Sequence, residues 1–427
     1  MKDDPRSHGL WEQTAPLPPP TSVLDGEAKV DVAVIGAGFT GLSAALHLAE
    51  GGARVAVLEA VEIGFGGSGR NVGLVNAGMW LMPEKLPAAL GDIYGMRLLD
   101  LLGNAPNDVF DLIERHGIAC EAVRQGTLHC AVGADGLVEL RERARQWQAR
   151  SAPVRLLDAN ETARKIGTAA YAGSLFDKRA GTIQPLAYVR GLAHAAVAAG
   201  AAIYTSSPVV AADDDGSTWG LHTPHGSVQA SSVIVATNAY TSAVWPALRT
   251  EIIHLPYFNM ATKPLSDNLR SSILPERQGA WDTREVLSSF RFDDAGRLVF
   301  GSVGALRGPG LPIHRGWGRR AVAKLFPQLK DVAFETEWYG NIGMTVDHLP
   351  RFHRLGRNVV SFSGYNGRGI APGTVFGRSL AQLMLGKVGE DDLPLPVSEP
   401  AAAPWRAVKE AYYEVGAQVV HLAEARF

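Results

Sequence analysis

Three glycines and one acid carry the most readable chemistry in this chain. Gly36, Gly38 and Gly41 form G-x-G-x-x-G, and Glu59 follows 23 positions after the first of them. Gly36 allows a tight turn, Gly38 lets backbone approach a pyrophosphate, and Gly41 permits close packing of a helix on a strand. A helix opening at this point presents N–H groups and a positive dipole end to phosphate. Glu59 at the end of the next strand can accept hydrogen bonds from a ribose 2′-OH and would repel a 2′-phosphate. The chemistry is dinucleotide binding.

The elements needed to position these residues can be read around them. Val30–Ile35 (VDVAVI) is a β-branched run suited to a strand buried on both faces. Leu42, Ala45, Leu46 and Ala49 repeat at helical spacing, and Gly51-Gly52 stops that helix. Arg54–Leu58 is a second apolar strand leading to Glu59. A second glycine-rich loop, Ile63–Gly78, offers Ser68, Arg70 and Asn71 among backbone able to lie against a ligand. An NAD site needs no second cradle here, whereas an extended FAD does.

Composition bounds the alternatives. The 427 residues contain 47 glycines in clusters without a collagen period, and Lys+Arg 41 against Asp+Glu 43 leave a net charge of -2. No basic field exists to hold nucleic acid or an anionic membrane, so small molecules are the expected partners. Val30–Ala49 is too interrupted for a membrane span, and the N-terminus lacks the apolar core of a signal peptide, so a cytoplasmic protein is expected. Cys120 and Cys130 match no disulfide or zinc spacing and read as buried small hydrophobes; no metal-ligand cluster is present in the sequence.

Further along, a helix starting near Pro185 and capped by Gly200 is expected, then short strands broken by the acidic turn Asp213–Asp215, closing on the buried strand Ser232–Thr237. Thr250–Arg307 reads as an antiparallel sheet with the strand-like pieces LSSFRF and GRLVFGS. Thr374–Gly386 reads as a helix, and one amphipathic helix lies near Trp405–Val419 in a Pro/Ala-rich tail.

The opening VIGAGFTGLSAALHLAEGG, followed by E-A-x-x-I-G-F-G-G-S-G-R-N, resembles the D-amino-acid oxidase and sarcosine oxidase superfamily of FAD amine oxidoreductases. The gamma-glutamylputrescine oxidase branch is the nearest in pattern. The likeness runs from about Val30 to Gly386, through LLDAN at Leu156–Asn160, NAY at Asn238–Tyr240, FPQLK at Phe326–Lys330, W-x-G-N at Trp338–Asn341 and GYNGRGIAPGTVFGR at Gly364–Arg378.

This resemblance implies an α/β fold: a Rossmann-like FAD-binding domain of glutathione-reductase type plus an antiparallel-sheet substrate domain. The expected division is an arm at 1–29; a discontinuous FAD domain at 30–80, 151–245 and 336–390; a substrate domain at 81–150 and 246–335; and a tail with a helix at 391–427. Cofactor contacts are implied at Gly36, Gly38, Phe39, Thr40, Gly41, Glu59 and Ala60, then at Gly67, Ser68, Gly69, Arg70, Asn71, Gly73 and Leu74. Val209, Thr237, Gly340, Gly364, Gly367, Arg368, Gly369, Ile370 and Ala371 complete the set. The Gly364–Gly369 loop is expected to bring N–H groups to the isoalloxazine edge where negative charge develops on reduction, with Arg368 adding to them.

Departures from the relatives are informative. Where some members attach FAD through Cys or His, this chain has Gly340 and Arg70, so noncovalent FAD is expected. Ser302 stands at the place of an oxygen-activating lysine, which leaves oxygen or a quinone or carrier as acceptor. Asn366 and Arg368 replace Ser and His of the gamma-glutamylputrescine branch, and Ala371 replaces a carboxylate-gripping lysine of sarcosine-type enzymes; Arg368 could itself reach a carboxylate.

The expected reaction is oxidation of a C–N bond in an amine or N-substituted amino compound, gamma-glutamylputrescine-like or related, to an imine that water hydrolyses. It needs the amine carbon placed against the flavin and an unprotonated amine, which an apolar pocket favours. Pocket candidates are Trp80, Tyr257, Phe290 and Trp281, with Lys263 and Arg291 as polar candidates if their strands face the flavin. His348 reads as structural rather than as a base, and Asp213–Asp215 as a solvated turn. The alternatives are an amino-acid dehydrogenase feeding a quinone or carrier, and a flavin-binding electron-transfer subunit. A disulfide reductase would need a cysteine pair near the first helix, and an aromatic hydroxylase would be reduced by NADPH.

Overall fold

Strand Gly26–Ile35 is the centre of the first of two large sheets in the computed structural model, which describes residues 8–423. It pairs in parallel with Val55–Leu58 on one side and Gly226–Val235 on the other, placing Ile35 beside Leu58 and Val235. The nine-stranded sheet continues outward through Ala202–Tyr204 at one side and Val359–Ser363, Arg351–Gly356 and Val397–Ser398 at the other. Strands Trp219–His222 and Ala211–Asp214 branch from Gly226–Val235.

Both faces of the central strands are buried, as the unbroken apolar run requires. Val32, Val34, Val55 and Val57 pack toward the helices, while Ala33, Ile35, Ala56 and Leu58 pack toward Leu221, Val233 and Val235. Helix Phe39–Glu50 lies between helices Pro185–Ala198 and Ile370–Met384. It meets the latter so closely that a side chain at Gly377 would collide with the Thr40 carbonyl.

The second sheet has eight strands in the order Phe334–Met344, Ile253–Thr262, Leu298–Val303, Ser288–Phe292, Gly279–Asp282, Thr127–Ala131, Gly173–Asp177 and Val154–Leu157. Every pairing is antiparallel except Gly279–Asp282 with Thr127–Ala131. Helices Gly133–Ala149, Gly310–Leu325 and Arg406–Ala423 cover parts of this sheet.

The observed sheets redraw the division expected from the sequence. Val154–Leu157 and Gly173–Asp177 join the second sheet, not the first, because they pair onto Thr127–Ala131. Phe334–Met344 is also a strand of the second sheet, paired along its whole length with Ile253–Thr262. Val397–Ser398 of the tail extends the first sheet beside Phe352 and His353.

The arm is no loose extension in its described part. Leu10 and Trp11 are fully buried, Trp11 donates to the Asn71 carbonyl at 2.9 Å, and Glu12 pairs with Arg190. Residues 1–7 of the arm and 424–427 of the tail lie outside the described residues. Among the described residues no helix is long and apolar enough to cross a membrane. Cys120 and Cys130 are buried and free, and burial raises both thiol pKa values, that of Cys120 to about 12.

Candidate functional site

The turn after Ile35 is built on steric necessity. Gly36 takes φ +103°, its N–H donating to the Leu58 carbonyl, and a side chain at Gly41 would strike the Gly36 carbonyl oxygen. The loop therefore presses helix Phe39–Glu50 onto the strand. A Cβ at Gly38 would come within 2.9 Å of Ser68 Oγ, which accepts the Phe39 N–H at 3.0 Å. The two glycine-rich loops thus meet at the first turn of the helix.

Glu59 is held against this turn. One carboxylate oxygen accepts the Ala37 N–H at 2.8 Å and the other the Val61 N–H at 3.0 Å. Burial raises its pKa, and these N–H donors oppose the rise by favouring the charged form.

The second loop is braced by the second sheet. Asn71 Nδ2 donates to the carbonyls of Gly67 and Ser68, and its Oδ1 accepts the Gly73 N–H. Arg70 is buried and donates to the carbonyls of Phe65 and Tyr339. Its own carbonyl accepts from Asn259 and from the Trp338 indole.

The Gly364–Gly369 loop carries positive φ at Gly364, Asn366 and Gly367. Asn366 locks it, accepting the Thr345 N–H at 2.8 Å and donating to the Gly364 carbonyl at 2.6 Å. Helix Ile370–Met384 begins at this loop, so two packed helices start side by side, and Thr40 Oγ1 joins them through the Tyr365 hydroxyl at 2.7 Å.

These parts enclose one long cavity of about 780 Å³ that runs from the glycine turn to the second sheet. Nineteen of the expected cofactor residues line it: Gly36, Gly38, Phe39, Thr40, Glu59, Ala60, Gly67, Ser68, Arg70, Asn71, Leu74, Val209, Thr237, Gly340, Gly367, Arg368, Gly369, Ile370 and Ala371. Gly41, Gly69, Gly73 and Gly364 do not reach the lining; they sit against Gly36, Gly64, Ile183 and Thr345 and serve close packing. The turn glycines, the two helix N-termini and the acid make a donor set that fits a dinucleotide. Arg368 adds a buried Nε without a hydrogen-bond partner at the far end.

At that far end the lining is aromatic, with charged groups of both signs, Arg143 and Arg368 together with Glu139 and Asp282. Trp80, Tyr257 and Trp281 all line the cavity. The Arg368 guanidinium lies 5.3 Å from the Trp80 ring centre and 5.6 Å from that of Trp281, and its Nη1 donates to the Ala77 carbonyl at 2.6 Å. Burial lowers its pKa to about 9, helped by the positive charge of Arg143. Tyr257 shares a 2.6 Å hydrogen bond with Ser289, and burial raises its pKa.

Three other candidates point elsewhere. Phe290 turns into the core of the second sheet, edge-on to Phe326, because its neighbour Ser289 takes the cavity side of the strand. Arg291 is buried away from the cavity, donating to the Val72 carbonyl and stacking over Trp11. Lys263 is exposed at the end of its strand. Ser302 also faces away, donating to the Leu287 carbonyl, and Val303 is the cavity residue of that strand. His348 lines the cavity with φ +61°. Asp213 and Asp214 are exposed but end the strand Ala211–Asp214, paired with Gly220 and Trp219, so the expected acidic turn begins only at Asp215.

His129, Glu139, Arg143 and Asp282 line the cavity without having been singled out by sequence. His129 stacks on Trp281 at 4.7 Å, and burial with Arg143 and Arg368 nearby keeps its pKa well below the usual value. Arg143 donates to the carbonyls of Met79 and Trp80, fixing the Trp80 loop. Only the unusual burial of an arginine on an amphipathic helix would have marked it, and burial is invisible in one sequence. Among the described residues no group of three or more His, Cys, Asp or Glu is placed to hold a metal ion.

Comparison with known proteins agrees with this geometry. The gamma-glutamylputrescine oxidoreductase of Escherichia coli (strain K12) is 33% identical over 413 residues, covering 93% of this chain and 95% of that protein. A probable oxidoreductase, OrdL, of Rhizobium meliloti (strain 1021) is 30% identical over 396 residues, with 92% of each covered. Among solved structures, glycine oxidase from Geobacillus kaustophilus superposes with a TM-score of 0.69 at 20% identity, over 85% of this chain and 96% of that one. L-amino acid deaminase from Proteus vulgaris, with its specific insertion sequence deleted, gives 0.71 at 18% identity over 90% and 97%. Residues 31–383 match the family described as DAO, FAD dependent oxidoreductase, and the chain accordingly belongs to that family and uses FAD.

Proposed function

We propose that this enzyme oxidises a C–N bond of an amine or N-substituted amino compound that also carries a carboxylate, a gamma-glutamylputrescine-like molecule or a relative of it, to an imine that water hydrolyses. The observation that carries the reading is the Arg368 guanidinium held between Trp80 and Trp281 at the sheet end of a cavity whose other end is the glycine cradle. When bound, FAD supplies the acceptor for the two electrons removed from the amine carbon.

Each wall of the chamber then has a task. Trp80 and Trp281 give an apolar surround that disfavours the ammonium and favours the neutral amine. Arg368 offers its unpartnered Nε to a carboxylate, and Tyr257 with Ser289 offers a hydroxyl pair to orient a polar group. Arg143 holds the Trp80 loop in place. Gly340 and Arg70 at the family's attachment positions support noncovalent FAD, the Arg70 side chain being committed to the Phe65 and Tyr339 carbonyls.

The test is anaerobic reduction of the bound flavin by a panel of gamma-glutamyl polyamines, N-methyl amino acids and D-amino acids. Reoxidation by air against a quinone follows. Bleaching by a gamma-glutamyl polyamine supports the reading. Bleaching by amino acids alone moves it to an amino-acid dehydrogenase, and no bleaching by any amine leaves an electron-transfer subunit.

A further inference from the structure

The C-terminal helix Arg406–Ala423 turns one face to the second sheet, burying Ala417 and His421. Its opposite face is apolar and bare. Val408, Tyr412, Val415, Val419 and Leu422 within the helix, and Trp405, which precedes it at φ +56°, are between 51% and 79% exposed, and they follow one another in sequence at alternating steps of three and four. This is the spacing of a seam that packs against another helix, not of a face meant for water. Among the described residues no other helix carries such a row, the remaining exposed large hydrophobic residues being scattered.

We propose that this stripe is the interface with a second copy of the same chain, the two helices lying antiparallel about a two-fold axis that passes between Tyr413 and Glu414. The row reads the same from either end, so antiparallel pairing sets Trp405 opposite the second copy's Leu422, Val408 opposite Val419, and Tyr412 opposite Val415. Small residues lie where the backbones must approach: Ala411 and Gly416 flank the central pair, leaving room for the tyrosine rings. The exposed parts of the six side chains amount to roughly 600 Å² per copy, close to the ~800 Å² per partner of a standard interface.

A lipid surface is the poorer match. A helix lying on an anionic membrane is expected to be rich in Lys and Arg along its polar flanks. Here Arg406 is tied to Glu410 and the Ile252 carbonyl, and Glu414 pairs with Arg307.

The experiment is the mass of the flavin-loaded enzyme by light scattering at about 1–50 µM, at or above the µM-to-pM dissociation constants that standard-size interfaces span, for the wild type, Val415→Lys and Tyr412→Lys. A dimer that becomes monomeric in both variants, with the flavin spectrum kept, supports the proposal. A wild type that stays monomeric overturns it, as does a dimer that survives both substitutions. Oxidation of a mixture of Val408→Cys copies and Val419→Cys copies should crosslink one kind to the other and neither to itself, whereas crosslinking within one kind, or none between them, overturns the antiparallel register. Binding of the monomer to vesicles of phosphatidylcholine and phosphatidylglycerol, with no dimer, assigns the stripe to lipid and overturns the proposal.

Discussion

Arg368 Cζ lies 5.6 Å from the ring centre of Trp281, joining a loop of the first sheet to a strand of the second. The two residues are far apart in the chain and meet only because both sheets end on the same cavity. A charge-assisted hydrogen bond from a buried guanidinium contributes about 1.5–3 kcal/mol, or roughly 10- to 100-fold in affinity. Arg368→Gln should therefore raise KM for a carboxylate-bearing amine by that factor with a smaller change in kcat, and Arg368→Lys should restore part of it. An equal loss with an amine lacking a carboxylate would place the guanidinium's effect on the flavin instead, visible as a lowered reduction potential.

Glycines separate the fold from the ligand. Gly41→Ala forces a methyl into the Gly36 carbonyl and should cost about 3 kcal/mol or more, seen as insoluble protein or a thermal midpoint lowered even without flavin. Gly369 has φ −97° and open space where a Cβ would stand, so Gly369→Ala should leave the thermal midpoint of the apoprotein unchanged. Its effect should appear only in flavin titration, as a weaker Kd for FAD, because the space belongs to the cavity. A Kd equal to that of the wild type would remove this loop from the cofactor's contacts.

Neighbouring positions on strand Ser288–Phe292 should behave oppositely. Phe290→Ala empties a core site against Phe300 and Phe326 and should cost about 3–5 kcal/mol of stability while leaving KM intact in whatever folds. Ser289→Ala removes the partner of the Tyr257 hydroxyl and should alter kcat or KM with little change in the thermal midpoint. Denaturant unfolding paired with steady-state rates distinguishes the two.

That contrast shows why part of the site was legible and part was not. Gly36, Gly38 and Gly41 are readable because the turn excludes every other residue type, so geometry leaves a mark in composition. Glu59 is readable because strand length sets its place. Ser289 and Phe290 are not, since all five residues of their strand are buried, and the alternation that separates Ser289 and Arg291 from Phe290 and Phe292 does not say which of the two faces borders the cavity. The same ambiguity hides Val303 behind Ser302. His129 and Arg143 come from a strand and a helix whose approach to the cavity is decided by sheet order, which local pattern does not encode. Sheet order likewise moved Val154–Leu157 and Gly173–Asp177 to the second sheet.

Acid should loosen the join between the C-terminal helix and the second sheet. His421 and His314 are fully buried with their Nδ1 atoms 2.7 Å apart, so one ring donates and the other accepts, and both are neutral. His421 also stacks on Trp317 at 3.7 Å. Burial lowers the pKa of His314 to about 4 and that of His421 to about 3; Glu414 opposes the first shift, while His314 and Arg320 reinforce the second. A folded-state pKa below the unfolded value of about 6.5 means that the unfolded chain binds more protons as pH falls. The stability is thus fully present above pH ~6.5 and is lost on acidification toward the folded values, at about 2 kcal/mol by pH 5 for a histidine shifted this far. The thermal midpoint of the flavin-loaded enzyme should fall between pH 6.5 and 5. The double variant His314→Phe/His421→Phe, which keeps aromatic packing but removes both titrations, should flatten that slope; an unchanged slope would assign the acid sensitivity to other groups.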